Sequence, residues 1–250
     1  MEDKMIRVAI THGDTNGIGY EVILKTFATP TILELCTPIV YGSPKLAAYH
    51  RKALNLETSF NIIERAEDAC DGKLNILACF DDEVKVDLGQ PSEEAGKAAL
   101  MALDRAMTDY RSGLYDVLVT APINKATIQG EGFHFPGHTE YIETCVGEGN
   151  KALMILMNED LRVALVTTHL PIRNVAEAIT QEAIVEKASI FNLSLKRDFR
   201  ISSPRIAVLS LNPHAGDNGL LGNEEKDIII PAIEELEKKG IQAFGPFPAD

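Results

Sequence analysis

With 250 residues, the chain has room for one large domain or two medium ones, each with a buried core. Apolar residues make up 45%, which sets it apart from disordered sequences. A formal net charge of −13 disfavours nucleic acid and anionic membranes as partners, while leaving room for a small anionic ligand in a locally positive pocket.

Four cysteines (Cys36, Cys70, Cys79 and Cys145) include no C-x-x-C pair, so reduced thiols and a cytoplasmic location are expected. The opening MEDKMIRVAI is acidic and runs straight into strand-like sequence, so no secretory signal is expected. No apolar run approaches the ~20 residues that span a bilayer.

Met5–Thr11 reads as a strand and GIGYEVILKTF after it as a helix. Thr37–Gly42 is a second strand, followed by a helix with Ser43 as cap and Pro44 in its first turn. Leu74–Phe80 is a third strand. From Ser92 to Tyr110, small or apolar residues recur at 95, 99, 102, 103, 106 and 110, which predicts a helix capped by Ser92 and stopped at Gly113. Tyr115–Pro122 is another strand. QGEGFHFPGH (Gln129–His138) is rich in glycine and aromatic residues and predicts a domain crossing or cleft loop.

Ala152–Asn158 and Leu161–His169, separated by Glu159 and Asp160, predict a hairpin. A Thr180-capped helix, the strand Ile206–Asn212 and a last helix from Asn223 to Gly240 follow, with Pro231 expected to kink that helix or begin a second one. Strands separated by helices predict an α/β fold with a largely parallel sheet covered on both faces; the hairpin makes it mixed.

Ligands in open α/β sheets bind beyond the carboxyl ends of the strands. Four strand exits carry THGDTNGIGYE, TAPINK, TTHLPIRN and NPHAGDNG. They hold His12, His169 and His214, together with Asp14, Asn124, Lys125, Asn212 and Asp217. A lone histidine at a strand end is more often structural than a ligand. Two of them, at exits joined by one crossover helix, suit a shared Zn²⁺, Co²⁺ or similar ion, and on spacing alone both readings stand. Two ligands do not complete a catalytic site, and no third histidine is evident. GDTNGIGYE is not the G-x-G-x-x-G dinucleotide fingerprint. Its glycines, like those of HAGDNGLLG, suit either an anion at a helix start or a plain turn.

VAITHGDTNGIGYEV, DVLVTAPINK, FPGHTEYI, LRVALVTTHLPIRNV, RIAVLSLNPHAGDNG and GPFPAD occur in the order found in the 4-hydroxythreonine-4-phosphate dehydrogenase family, which the chain closely resembles over essentially its whole length. The resemblance implies a two-domain isocitrate/isopropylmalate dehydrogenase-like architecture with an interdomain cleft, assembled as a homodimer. Here the first domain is expected over 1–125, and the second, with metal ligands and dimer surface, over 126–250.

The resemblance also implies NAD- (or NADP-) and divalent-metal-dependent (Zn, Mg or Co) oxidation of 4-phosphooxy-L-threonine, then decarboxylation to 3-amino-2-oxopropyl phosphate, in pyridoxal 5'-phosphate biosynthesis. It assigns His169 and His214 to the metal, His138 and Thr139 to the substrate and Asp250 to catalysis; Lys125 is expected to join Asp250 in catalysis, and Asn212, Gly216 and Gly219 to contact the cofactor. His12, Thr15, Asn16 and Tyr20 depart from the family's usual opening motif, which leaves a threonate or erythronate 4-phosphate as an alternative substrate. Family chains continue past the position of Asp250 and supply a third metal histidine there, so an incomplete site or an inactive remnant is a further expectation. From another class, a metal-dependent hydrolase or lyase also suits two strand-end histidines.

Overall fold

A computed structural model describes residues 5–80, 84–130 and 132–249. The chain divides into two compact units, Met1–Lys151 and Ala152–Asp250.

In the first unit, β1 (Arg7–Thr11), α1 (Gly19–Thr26), β2 (Thr37–Gly42), α2 (Pro44–Ala53), β3 (Asn61–Ile63), β4 (Asn75–Ala78), α3 (Glu93–Arg111), β5 (Val117–Thr120) and α4 (His138–Val146) follow one another. The strands form a parallel sheet in the order β3-β4-β2-β1-β5. Because side chains alternate faces along a strand, neighbours in sequence enter different cores. Ala9, Ile39, Tyr41 and Leu77 join the alanine-rich face of α3 (Ala99, Ala102, Ala106). Ile10, Val40 and Ile76 join Tyr20, Ile23 and Leu24 of α1 and Leu46 and Ala47 of α2. Helices therefore cover both faces, as a parallel sheet requires.

The second unit contains β6 (Ile155–Met157), β7 (Arg162–Ala164), α5 (Val175–Ala178), α6 (Gln181–Arg197), β8 (Arg205–Leu209), α7 (Ile230–Lys238) and β9 (Gln242–Phe247). β6 and β7 are the expected antiparallel hairpin. Its turn is closed by Asn158 Oδ1, which accepts from the N–H groups of Asp160 (2.9 Å) and Leu161 (2.8 Å). β8 and β9 pair in parallel. Ile184, Val185 and Phe191 of α6 pack with Ile233 and Leu236 of α7 and with Ile206 and Ala243 from the paired strands.

Two expectations change. The boundary lies after Lys151 rather than at 125/126, because Ile128, Phe133 and Tyr141 are built into the first unit's core. For the same reason the Gln129–His138 stretch is no crossing: Phe133 is fully buried and stacks on Tyr141 at 5.2 Å. As expected, Pro231 begins a second segment: it falls in the first turn of α7, and the preceding turn, Glu225–Ile229, is π-helical. β3, α4 and β9 were not expected. β3 has three residues, α4 starts at Gly137 with no side-chain cap, and β9 contains a glycine and a proline.

Candidate functional site

In the first unit, β1 and β5 are neighbours, with Thr11 opposite Thr120, so their exits lie side by side. The β1 exit is tied to the β5 exit by the Asp14 N–H, which donates to the Pro122 carbonyl at 2.9 Å. Gly13 has φ +75°, and a Cβ there would sit 2.3 Å from that carbonyl, so only glycine fits. Beyond Pro122, Asn124 Oδ1 accepts from the Ala126 and Thr127 N–H groups and fixes the turn that presents exposed Lys125.

Lys125 and His138 are close enough to interact. Burial, and secondarily the Lys125 ammonium, push the His138 imidazole below its usual range, so it is neutral at pH 7. Its Nε2 is buried without a hydrogen-bond partner among the described residues. His138 and half-buried Thr139 open α4, whose first-turn N–H groups lack intrahelical acceptors and favour an anion. Lys125, His138 and Thr139 thus lie in one unit, around a neutral imidazole and a helix start.

The four residues that depart from the family motif are buried, with exposures of 0% for His12, 0% for Thr15, 3% for Asn16 and 1% for Tyr20. The His12 ring meets Tyr20 edge-on at 5.1 Å and Phe80 at 5.4 Å. The Tyr20 hydroxyl accepts from the Ser43 N–H, and its ring stacks on His50. His50 Nε2 lies 2.9 Å from the Thr15 carbonyl oxygen. Asn16 holds the segment near Asp87 and Gln90 by 2.8 and 2.9 Å hydrogen bonds. All four are buried rather than displayed on a surface.

In the second unit, β7 ends at Ala164, so exposed His169 lies five residues further on, in irregular chain. β8 ends at Leu209, ahead of Asn212 and exposed His214. β7 and β8 pair in different sheets, so the two strand exits expected to be joined by one crossover helix do not belong to one sheet. Both adopt left-handed backbone conformations, with φ 54° at His169 and φ 52° at His214. A Cβ in that region costs about 1–2 kcal/mol, and such cost is typical of functional positions.

His214 to Asn218 form a run of five left-handed residues. The run is held by Glu225, a residue the sequence reading missed. Its Oε1 accepts from the Leu211 (2.9 Å) and Asn212 (2.7 Å) N–H groups, and its Oε2 accepts from Asn212 Nδ2 (2.9 Å). Burial works to raise this carboxyl's pKa, but the donors from Asn212 and Leu211 outweigh it and hold it below the usual range. Gly216 packs on the same oxygen, where a Cβ would lie 2.8 Å from it, and a Cβ at Gly219 would lie 2.6 Å from Asn223 Oδ1. The absence of side chains at both glycines is therefore explained by contacts within the chain. In the sequence, Glu225 looks like an ordinary acid in the first turn of a helix.

The imidazoles of His169 and His214 are the right donor type for a borderline divalent ion. No group of three or more His, Cys, Asp or Glu side chains able to hold a metal occurs among the described residues, so the two are part of a set at most. Asp250, the expected catalytic acid, lies outside the described residues.

Residues 34–250 match the family described as pyridoxal phosphate biosynthetic protein PdxA. The chain belongs to that family. It is 64% identical, over all 250 residues, to the 4-hydroxythreonine-4-phosphate dehydrogenase of Bacteroides thetaiotaomicron, and covers 69% of that protein. Among solved structures of enzymes with the same name, the one from Klebsiella pneumoniae superposes with a TM-score of 0.86 at 29% identity, over 99% of this chain and 75% of the other. The one from Burkholderia phymatum gives 0.83 at 34% identity, over 99% and 76%. Membership of the PdxA family agrees with the resemblance carried by the motifs. No helix among the described residues is long and apolar enough to cross a membrane.

Proposed function

We propose that the chain carries out NAD-dependent, divalent-metal-dependent oxidation of 4-phosphooxy-L-threonine to a β-keto acid, which loses CO₂ to give 3-amino-2-oxopropyl phosphate for pyridoxal 5'-phosphate synthesis. The observation that carries this reading is the 64% identity across all 250 residues to a relative of that name. We further propose a cytoplasmic homodimer with the two-domain isocitrate/isopropylmalate dehydrogenase-like architecture.

In this reading, His169 and His214 supply two donors to the ion, and further donors come from outside the described residues. A divalent ion held there would favour ionisation of the substrate hydroxyl, and a bound nicotinamide would supply the acceptor for the hydride. Lys125 and the start of α4 hold the substrate's anionic groups, with the His138 imidazole and the Thr139 hydroxyl fixing its orientation. His138 is suited to this because a neutral imidazole both donates and accepts a hydrogen bond. Asn212, Gly216 and Gly219 form the cofactor's contact loop. Asp250 and Lys125 are the proposed proton-transfer groups.

The buried packing of His12, Thr15, Asn16 and Tyr20 favours the phosphothreonine substrate over the threonate or erythronate alternative, because their changes are absorbed inside the unit. The test is full-length protein with NAD⁺, Zn²⁺, Mg²⁺ or Co²⁺, and 4-phosphooxy-L-threonine, read as NADH formation, with threonate 4-phosphate in parallel. NADH from the first substrate alone is expected. NADH from the second alone overturns the substrate, and none from either overturns the reaction. His214→Ala is expected to lower bound metal and turnover together, and unchanged metal content removes that ligand assignment.

A further inference from the structure

We propose that Glu225 is a positioning residue that locks the segment after β8 into its left-handed form and thereby aims the His214 imidazole. The inference rests on the reading of His214 as a metal ligand. Four observations meet at this carboxylate. It is 4% exposed, on the π-helical turn that precedes α7. One oxygen takes two consecutive backbone N–H groups, from Leu211 and Asn212, just past the end of β8. The other takes the Asn212 side-chain amide, whose second contact is Glu224 Oε2 at 2.7 Å. Gly216, in the middle of the left-handed run, packs against that same oxygen.

The run begins at His214, two residues after the last clamped N–H. His214, Ala215, Asp217 and Asn218 all carry a Cβ in a region L-residues disfavour. Such a segment keeps one conformation only if its surroundings over-determine it. Here a buried acceptor fixes the entry and packs on the middle, while the Leu221 N–H, donating to the Gly216 carbonyl at 3.0 Å, closes the exit. The π turn offers a reason for its own irregularity: an extra residue per turn shifts where Glu225 points relative to a regular helix. Preset donor geometry is what supporting residues provide to metal ligands.

The experiment uses full-length protein with Glu225→Ala, Glu225→Gln and Glu225→Asp variants. It reads amide hydrogen exchange at Leu211 and Asn212, and Zn²⁺ and Co²⁺ affinity by calorimetry. Glu225→Ala is expected to lose protection at those two amides while α6 and α7 stay protected, and to bind metal roughly tenfold or more weakly. Glu225→Gln, which keeps one oxygen for both N–H groups, is expected to recover most of both.

A lowered melting temperature with unchanged metal affinity would make Glu225 merely structural and overturn the proposal, as would unchanged protection. If the alanine variant does not fold, Glu225→Asp decides: its carboxylate is one methylene short of the clamp, and wild-type values in both measurements overturn the proposal. His214→Ala separates the two ideas. If that variant binds metal normally, the ligand reading falls, while the amide protection still reports on the clamp.

Discussion

His12 sits fully buried at the end of β1, with neither ring nitrogen hydrogen-bonded among the described residues. Burial first, and the neighbouring His50 second, push its pKa down to about 3. His50 is also lowered by burial, against opposing contributions from the Thr15 carbonyl and Glu21. The folded chain therefore keeps His12 neutral where the unfolded chain, with an ordinary value of 6.5, takes up a proton. The stability linked to this residue is complete above pH 6.5 and is lost as pH falls from 6.5 toward 3. Between pH 7 and pH 5 the loss is on the order of 2 kcal/mol, with His50 adding in the same direction. Urea unfolding at the two pH values measures it. His12→Phe, which keeps a ring against Tyr20 and Phe80, is expected to remove most of the acid-side loss; a variant with the wild-type pH slope would exclude His12 as its source.

Among the elements, the long helices carry their own start signals. Ser43, Ser92 and Thr180 each accept a hydrogen bond from the third residue after them (Leu46, Ala95 and Ala183). Ser92→Ala is expected to cost about 1 kcal/mol, seen as a lower denaturation midpoint with an unchanged slope. α4 lacks such a signal, because Gly137 offers no side chain to cap it. What holds α4 is instead Tyr141, 3% exposed, whose ring stacks on Phe133 and whose hydroxyl donates to Asp104 Oδ1 on α3. That helix exists because of packing from distant sequence, so local reading treats it as loop.

At the scale of the molecule, each unit has its own core: the buried clusters of the first end at Tyr141, and that of the second begins at Ile179. Leu236 is fully buried in the second. Leu236→Ala is expected to cost about 2–5 kcal/mol. The loss should appear as faster amide exchange across α6, α7, β8 and β9, with α3 and the five-stranded sheet little affected. Equal acceleration in both units would show that they unfold together.

The alternation of apolar residues, the capping serines and threonine, and the hairpin turn are local signals, so the sequence alone determined the α/β class, most strands and helices, and which strand ends to inspect. Six motifs in order also pointed to the family. Tertiary structure decided what depends on contacts between distant residues. It assigned Phe133 and Tyr141 to the first unit, brought Lys125 to His138, and buried the four departing residues. It also separated β7 from β8 and placed the Glu225 carboxylate beneath the turn that carries His214. The physical reason is common to these cases: burial and the direction of a side chain are set by what packs against it, and a chain read one residue after another does not contain its neighbours in space.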